Sequence, residues 1–252
     1  MTEPSFKFDA FAALHVPGRP VVLYNVWDAG SAQAVARAGA RAIATGSWSV
    51  ATAQGFGDGE DLPFDLVAAN AARIAAATNL PTTIDLEGGY GARPDEVGAS
   101  ARAIAQAGCI GCNFEDRIVR GEGLYAVDAQ AARIAGIRAA TGPAFFINAR
   151  TDIFLQAPAE THVPAMVDAA VARAVAYAAA GANGFFAPGL VDLALIESLA
   201  SRCPLPLNIM ASPKTPPAAD LARVKVARIS HGPGPYRRMI AELEAAARAI
   251  YA

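Results

Sequence analysis

Eight short apolar runs, each separated from the next by a longer helical pattern, constrain the fold of this chain more than any other feature. The runs are continuously apolar rather than alternating in polarity, which is typical of parallel strands buried on both faces. They lie at residues 21–25, 42–46, 82–87, 111–116, 145–151, 184–189, 207–210 and 227–232. Eight strand–helix repeats predict an α/β fold, a (β/α)8 TIM-type barrel.

The length of the chain suits one such barrel. We therefore predict a single domain over residues 1–252. An initial segment that contains Phe8, Phe11 and Leu14 predicts an additional N-terminal helix that caps one end of the barrel. The alternative is a doubly wound open sheet, which usually carries a glycine-rich phosphate turn after its first strand. The segment NVWDAGSA at residues 25–32 is not such a turn.

Charge and composition exclude several classes of partner. The net charge is -2 and no cluster of Lys and Arg marks a surface for nucleic acid or membranes. No apolar stretch reaches the roughly 18 residues that would span a bilayer, and the first residues lack the layout of a signal peptide. Three cysteines in a chain of this size fit a reducing compartment. We predict a soluble, cytoplasmic protein.

Acidic residues concentrate at the ends of the first, third and fourth predicted strands, where barrel enzymes place their active sites. They are Asp28, Asp85, Glu87 and Glu115. Carboxylates that converge repel each other unless a cation or a proton lies between them. A ligand set made only of oxygen atoms suits Mg2+, with Mn2+ as the alternative. We predict a metal site here; the alternative is that the acids pair with arginines.

Arg150, at the end of the fifth strand, is the predicted anion-binding side chain. Its planar fork can bind a substrate carboxylate or phosphonate through two hydrogen bonds. The alternative is a salt bridge to Glu115 or Asp152. The TGSWS segment at residues 45–49 could also direct backbone N–H groups toward an anion.

Two other reaction types lack the residues that they need. A Schiff-base aldolase requires a lysine in the barrel, but Lys7, Lys214 and Lys225 all lie outside the predicted strands. A serine hydrolase requires a nucleophile elbow, which is absent from the sequence. His231 is the one histidine at a strand end and could assist a proton transfer.

Several motifs resemble, in order along the chain, those of the isocitrate lyase / phosphoenolpyruvate mutase superfamily. They are NVWDAGSAQAVARAGARAIATGSWSVA, TIDLEGGYG, NFEDR, INARTD and GANGFFAPGL, followed by LNIMASP and VARISHGPGPYRR. The resemblance covers nearly the whole chain. It implies a barrel that binds Mg2+ and a 2-oxo acid or its enolate, and that breaks or forms a C–C or P–C bond beside the oxo-carboxylate.

The resemblance also implies roles for individual residues. It assigns metal binding, mostly through waters, to Asp85, Glu87 and Glu115, and places Asp28 near that cluster. Ser47 and Trp48 match the positions whose backbone amides hold the substrate carboxylate. The remaining matches are Arg150 as a substrate-binding residue, Asp58 as an acid near the metal and the reacting group, and Tyr24 and Asn208 as further residues of the pocket wall.

The resemblance fails in the loop after the fourth strand. Isocitrate and methylisocitrate lyases carry a Lys-Lys/Arg-Cys-Gly-His stretch there, whose cysteine acts as an acid or base. Residues 115–128, EDRIVRGEGLYAVD, contain no cysteine, lysine or histidine. The proton is therefore expected to be returned by a water held by Asp58, or by His231.

Three functions remain open from the sequence. The leading one is a Mg2+-dependent lyase or decarboxylase that acts on a small 2-oxo (di)carboxylic acid through a metal-stabilised enolate. The second is a mutase or hydrolase of phosphonopyruvate type, and the third is a non-catalytic protein that binds 2-oxo acids. The resemblance also implies a homo-oligomer, either a dimer or a tetramer.

Overall fold

The predicted barrel is confirmed. In the computed structural model, which describes residues 3–251, eight parallel strands form one sheet in the order β1-β8-β7-β6-β5-β4-β3-β2. They are β1 (Val21–Leu23), β2 (Ile43–Ala44), β3 (Thr82–Asp85), β4 (Gly111–Glu115), β5 (Phe146–Arg150), β6 (Gly184–Phe186), β7 (Leu207–Met210) and β8 (Arg228–Ser230). Beyond the ends of β1 and β2, a parallel bridge joins Val26 to Thr45 and brings the sheet edges together. The predicted domain limits at residues 1 and 252 lie outside the described residues.

Helices surround the sheet. They are α1 (Glu3–Ala12), α2 (Ala29–Arg37), α3 (Ser47–Ala53), α4 (Phe64–Ala76), α5 (Pro94–Gln106), α6 (Val127–Thr141), α7 (Pro164–Ala179), α8 (Leu193–Arg202), α9 (Ala218–Arg223) and α10 (Gly234–Tyr251), with short 3-10 turns at Ile153–Leu155 and Ala159–Thr161. In the part of the chain that the structure describes, no helix is both long and apolar enough to cross a membrane.

The predicted capping helix corresponds to α1. Phe11 is fully buried and its ring meets the ring of Phe146 edge-on at 5.0 Å. Phe146 is the first residue of β5, so α1 and the turn after it cover the N-terminal end of the barrel. The opposite, C-terminal end is thereby left as the place for a site.

One helix was not predicted from the sequence. The second strand was expected to continue to residue 46, but β2 has two residues and α3 begins at Ser47, directly after Gly46. The polar TGSWS segment has the composition of a loop. Tertiary packing decides its conformation, because α3 buries Ser49, Val50 and Ala51 against the barrel.

The interior of the barrel contains a layer of hydrogen-bonded polar side chains beneath its mouth. Asn113 accepts from Asn148 at 2.9 Å and from the guanidinium of Arg228 at 3.2 Å. Arg228 also donates to Ser230, which exchanges hydrogen bonds with Asn208. Because Arg228 is fully buried, desolvation lowers its pKa to about 9, while the charge of Asp85 opposes that shift. This layer is the floor on which the site is built.

Candidate active site

A cavity of about 220 Å³ opens at the C-terminal end of the barrel. We call it the central cavity. Its polar and aromatic lining residues are Asn25, Ser47, Trp48, Asp58, Asp85, Asn113, Arg150, Phe186, Ser230 and Arg237. The volume corresponds to roughly seven water molecules at about 30 Å³ each. The cavity therefore suits a small metabolite rather than a nucleotide or a polymer.

Asp85, the last residue of β3, is the acid at the centre of the site. Its Oδ2 accepts from the Ser47 hydroxyl at 3.0 Å and lies 3.4 Å from the Ser47 amide nitrogen. The same oxygen is 3.9 Å from Nη1 of Arg150. Its Oδ1 is buried and has no hydrogen-bond partner. A buried carboxylate oxygen without a partner is energetically costly, so this atom is suited to a ligand.

Room for that ligand exists next to Asp85. A second, smaller cavity of about 20 Å³ is lined by Asp85, Glu87, Ser47 and Tyr90, among other residues. This volume is sufficient for one water-sized occupant. The carboxylates of Asp85 and Glu87 on one side of this space are of the type that binds a hard divalent cation, whereas the rest of its lining is largely apolar and includes Val50, Leu62 and Ile84.

Glu87 reaches the site in a different way from the one predicted. The sequence analysis placed Glu87 at the end of the third strand, in the run 82–87, but β3 ends at Asp85 and Glu87 has a positive φ of 53°. Its Oε2 accepts from the amides of Gly59 and Glu60, each at 2.8 Å. Its Oε1 accepts from the hydroxyl of Tyr90 at 3.3 Å. Glu87 therefore fastens the loop after α3 to the end of β3.

The same loop is fastened a second time by Glu60. Its Oε1 accepts from the amide of Tyr90 at 2.7 Å. Glu60 and Tyr90 both have positive φ angles, as Glu87 does, and such strained conformations cluster at functional sites. A Cβ added to Gly88 would lie 2.6 Å from the Val119 side chain and 2.9 Å from Oε1 of Glu60. Only glycine fits there, which explains one glycine of the GGYG stretch.

Four acids form what we call the acid cluster: Asp58, Asp85, Glu87 and Glu115. Their negative charges repel one another. Burial, together with the charges of Asp85 and Asp58, raises the pKa of Glu87 to about 7. Burial raises the pKa of Asp58, and Asp85 adds to this effect, while a hydrogen bond from Ser47 lowers it. Burial also raises the pKa of Glu115 well above its ordinary value, although Arg150 opposes this shift. A bound cation would relieve this repulsion.

The acids do not form a ready-made metal cage. Within residues 3–251, no three His, Cys, Asp or Glu side chains lie together as a group that could hold a metal ion. The expected convergence of Asp85, Glu87 and Glu115 on one ion is thus not seen, because loop amides hold Glu87 and Arg150 holds Glu115. Asp85 is the member of this set that keeps a buried carboxylate oxygen without a partner.

Arg150 carries more ion pairs than the sequence interpretation allowed. Its Nη1 lies 2.9 Å from Glu115, and its Nε and Nη2 donate to the two carboxylate oxygens of Asp152 at 2.5 and 2.8 Å. Burial disfavours its charge, but Glu115, Asp152 and Asp85 outweigh that effect and hold its pKa well above the ordinary value. The sequence analysis predicted that Arg150 binds a substrate anion through two hydrogen bonds. The structure corrects this prediction, because Asp152 already occupies one edge of the guanidinium. This is the salt-bridge alternative that the sequence left open.

Asp116 holds the segment that carries Arg150 and Asp152, a role that the sequence analysis did not assign to it. Asp116 is fully buried, and its Oδ1 accepts from the amide of Asp152 at 2.9 Å. Its Oδ2 accepts from Arg173 at 3.1 Å and from the hydroxyl of Tyr177 at 3.0 Å. A buried acid directly after a strand-end acid is the signal that could have identified it.

Three predicted site residues lie away from the central cavity. Tyr24 and Asp28 line a separate cavity between β1, α2 and α10. The Asp28 carboxylate caps α2 by accepting from the amide of Ser31 at 2.7 Å. The His231 ring packs against Tyr24 at 5.2 Å, because it follows the inward-facing Ser230 and so points to the other side of the strand. Their positions do not support the predicted roles in metal binding or proton transfer.

The other predicted residues do come together. Asp58, Ser47, Trp48, Asp85 and Arg150 line the central cavity. Asn208 lies in the polar layer below it, where it is buried and hydrogen-bonded to Ser230. Arg237 is a lining residue to which the sequence analysis assigned no role, because it lies in a helix near the end of the last motif rather than at a strand end.

Glu87 provides a test of the acid cluster in the metal-free protein. A carboxyl with a native pKa of about 7 instead of 4.5 binds its proton more tightly when the chain is folded. The stability that this group contributes is complete below pH 4.5 and is lost as the pH rises through 7, by about 3 kcal/mol. Glu87→Gln cannot ionise and can still accept from the loop amides. Urea denaturation should therefore show the variant gaining about 3 kcal/mol over the wild type between about pH 5 and about pH 8.

At about pH 8, added Mg2+ should reverse the order of stability, so that the wild type becomes more stable than Glu87→Gln. It should raise the unfolding midpoint of the wild type and have a smaller effect on Glu87→Gln, because the variant lacks one charge at the site. Glu197→Gln, an exposed position on α8, is the matched control and should follow the wild type in both experiments. Parallel pH profiles for wild type and Glu87→Gln would contradict the charge repulsion described above.

Comparison with known protein families agrees with this geometry. The family model described as phosphoenolpyruvate phosphomutase matches residues 11–251. The chain belongs to this family. The predicted membership of the isocitrate lyase / phosphoenolpyruvate mutase superfamily is thereby confirmed.

Individual proteins that are similar to this chain include enzymes of known activity and a solved structure. Rv1998c, an uncharacterized protein of Mycobacterium tuberculosis, is 34% identical over 247 residues, which covers 96% of this chain and 88% of the relative. The 2-methylisocitrate lyase of Escherichia coli is 28% identical over 218 residues, covering 82% and 71%. The crystal structure of a "putative phosphonomutase" from Burkholderia cenocepacia J2315 has a TM-score of 0.95 and 50% identity, covering 98% and 99%. These relatives support the prediction of a lyase or mutase enzyme.

Proposed function

We propose that this chain is a Mg2+-dependent lyase or decarboxylase acting on a small 2-oxo acid. The observation that carries the proposal is the buried, unpartnered Oδ1 of Asp85, a residue that lines both cavities. It lies within an acid cluster that Arg150 alone cannot neutralise, because Arg150 also pairs with Asp152. The similarity to 2-methylisocitrate lyase supports the choice of a C–C bond.

Asp85 would hold the ion directly, with Glu87 and Glu115 binding its waters; Mn2+ is the alternative ion. When bound, Mg2+ supplies a Lewis acid that stabilises negative charge on the 2-oxo oxygen of the substrate. The amides of Ser47 and Trp48 open α3, where the first amides have no carbonyl partner in the helix; the Ser47 amide makes only a long hydrogen bond of 3.4 Å to Oδ2 of Asp85. They are the donors that we assign to the substrate carboxylate. Bond cleavage beside the ketone leaves the substrate as an enolate, which takes up a proton.

Asp58 is the residue we assign to this proton transfer. It lines the central cavity, and burial and the charge of Asp85 raise its pKa above the ordinary value, which makes its carboxyl a better proton acceptor. His231, the alternative from the sequence, faces Tyr24 instead. A water held by Asp58 would deliver the proton to the carbon from which the leaving group has departed.

A panel of 2-oxo and 2-hydroxy acids, incubated with the enzyme and Mg2+ and followed by mass spectrometry, tests this function. We expect one member to be split into a shorter 2-oxo acid or to lose carbon dioxide, and EDTA to abolish the reaction. Binding of 2-oxoglutarate or oxalate without turnover of any acid would instead favour a non-catalytic binding protein.

A second candidate function is P–C bond chemistry on phosphonopyruvate, as mutase or hydrolase. The 50% identity to the Burkholderia protein favours it. 31P NMR with phosphonopyruvate separates the two candidates, because P–C cleavage moves the phosphorus resonance to that of inorganic phosphate or of a phosphate ester. An unchanged spectrum, with turnover of a 2-oxo carboxylic acid, would favour the first candidate.

We also propose that the protein forms a homo-oligomer, either a dimer or a tetramer. Helix α10 buries only Pro235 and Tyr236 among its residues. It exposes Ile240, Leu243 and Ile250, by 39%, 61% and 79%, at positions that share one helical face. An apolar helical face of this kind is typical of contacts between subunits.

Light scattering after gel filtration tests the homo-oligomer. We expect the wild type to have at least twice the mass of one chain and Leu243→Glu to lower this mass, because the substitution places a charge in an apolar contact. Ala245→Glu, on the opposite side of the same helix, is the control and should keep the wild-type mass. A wild-type protein with the mass of one chain would contradict the proposal.

The location of the protein in the cytoplasm stays a prediction from the sequence.

A further inference from the structure

A further cavity, of about 380 Å³, lies between the loops that follow β3 and β4. We call it the hairpin cavity, because residues 116–125 fold into a short hairpin that forms one of its walls. The amide of Tyr125 donates to the carbonyl of Asp116 at 2.8 Å, and the amide of Ile118 donates to that of Gly123 at 3.1 Å. Within residues 3–251, no residue lines both the hairpin cavity and the central cavity, so the two are separate sites.

Three arginines line the hairpin cavity: Arg117, Arg120 and Arg133. Glu60 is the one acid among the described residues that line it. In the part of the chain that the structure describes, none of the three arginines takes part in an ion pair. Three arginines against one acid leave an excess of positive charge on the cavity wall, which an anion with two negative charges would balance.

Arg133 is the buried member of this group, with 2% of its surface exposed. Its guanidinium lies over the ring of Tyr125, with Cζ 4.0 Å from the ring centre, and it donates to the carbonyl of Gly91 at 2.9 Å. Its Nε is buried and has no hydrogen-bond partner. Burial lowers the pKa of Arg133, because Tyr125 and Glu60 offset only part of the lost hydration. A buried cation whose described hydrogen bonds go to neutral groups would be stabilised by a nearby anion.

The hairpin that carries the other two arginines is already fixed in place. Arg120 donates to the carbonyl of Glu60 at 3.3 Å. Val119, the residue before it, packs so closely on Gly88 that a Cβ added to this glycine would lie 2.6 Å from the valine side chain. Because neighbouring loops hold the hairpin, little backbone freedom is lost when an anion binds.

A group of arginines favours a phosphate group over a carboxylate. Each guanidinium presents its N–H groups in a planar fork that matches the spacing of phosphate oxygens, and a phosphate has enough oxygens for several forks. Near pH 7 a phosphate monoester carries about 1.5 to 2 negative charges, which is close to the excess on the cavity wall, whereas a carboxylate carries one. Ile118, Val119 and Tyr90 also line the cavity and could contact a carbon skeleton attached to the phosphate.

We propose that the hairpin cavity binds the phosphate group of a small anion, either inorganic phosphate or a phosphorylated metabolite. Arg117 and Arg120 bind the phosphate oxygens, and Arg133 supplies positive charge from the buried wall. The site goes beyond the proposed function, because the reaction in the central cavity does not use it. It is nevertheless built on the backbone beside the acid cluster, since Arg133 also donates to the carbonyl of Gly88, the residue after Glu87.

Calorimetric titration of the full chain with inorganic phosphate and with glycerol 3-phosphate, at constant ionic strength, tests the site. We expect Arg117→Gln and Arg120→Gln each to weaken binding about tenfold, because each variant loses a charge-assisted hydrogen bond. Arg102→Gln, at an exposed position on α5, is the matched control and should bind as the wild type does. The phosphate compound that binds more tightly identifies the source of the group, and acetate should bind more weakly than either.

Hydrogen exchange locates the bound anion. Phosphate should slow the exchange of backbone amides in residues 88–92 and 116–125. Arg237→Gln, which removes a cation of the central cavity, should leave the affinity for phosphate unchanged. Failure of both phosphate compounds to bind would overturn the proposal, as would a loss of binding in Arg237→Gln but not in Arg117→Gln and Arg120→Gln. Equal weakening in Arg102→Gln would also overturn it, because binding would then follow net charge alone.

Discussion

Asp85→Asn is expected to lower kcat by about 1,000-fold, a loss typical of removing one group that stabilises transition-state charge. The substitution keeps the shape of the side chain and the contact with the Ser47 hydroxyl at 3.0 Å, but it removes the charge that faces both cavities. It should also abolish the increase in melting temperature that Mg2+ produces, since Asp85 is the proposed direct ligand. Steady-state kinetics on the substrate found by the acid panel, and a thermal melt against Mg2+, measure the two effects.

Asp28→Asn is the matched control for this experiment. Asp28 is also an acid that follows a barrel strand, but its side chain caps α2. Asparagine caps a helix about as well as aspartate does, so stability should not change. Kinetics and Mg2+ dependence should equal those of the wild type. An equal loss of kcat in Asp85→Asn and Asp28→Asn would indicate that Asp28 belongs to the metal site. It would contradict the placement of Asp28 as the cap of α2.

Arg150→Gln is expected to destabilise the metal-free protein by about 3–5 kcal/mol at pH 7. The guanidinium lies 2.9 Å from Glu115 and 2.5 Å from Asp152, and both of these acids are buried. Without Arg150 their charges are uncompensated, and removing one partner of a buried ion pair costs far more than an exposed pair contributes. As the pH falls the loss should shrink, because Glu115, whose pKa burial already raises well above its ordinary value, can then take up a proton. Urea denaturation at several pH values measures this profile.

Two further variants make the interpretation specific. Arg202→Gln removes an exposed partner of Asp168, at 2.8 Å, and should cost less than about 1 kcal/mol. The double variant Arg150→Gln/Asp152→Asn should recover part of the loss, because one of the uncompensated charges is gone. A loss for Arg150→Gln as small as that for Arg202→Gln would show that these buried acids do not depend on Arg150.

The predictions from strand periodicity agree with the structure where the backbone is regular. Asn113 and Glu115 on β4, and Asn148 and Arg150 on β5, are separated by two residues and face the same interior. The register pairs Glu115 with Arg150 directly across the two strands. Side-chain direction could be predicted there because a strand alternates with a fixed period of two.

The same reasoning was misleading once the chain left the strands. At Glu87 the positive φ redirects the side chain toward the loop amides, and no pattern in TTIDLEGGYG predicts that hydrogen bond. His231 was placed by its proximity to a strand end and Tyr24 by the family resemblance, whereas the alternation at Ser230 turns the histidine ring away from the cavity and toward Tyr24. Loop conformation depends on contacts distant in sequence, such as the 28 positions that separate Gly59 from Glu87.

The sequence by itself determined the barrel, the end of the barrel that carries the site, and the acids and arginine at the centre of that site. These follow from local periodicity and from the rule that parallel strands bring their carboxyl ends together. The tertiary structure alone decided how the charges pair. Asp152, Glu115 and Asp85 share Arg150, loop amides hold Glu87, and Arg237 stays unpaired over Trp48. Pairing depends on distances of a few ångströms between segments remote in sequence, and the strength of each pair depends on burial, which the order of residues does not contain.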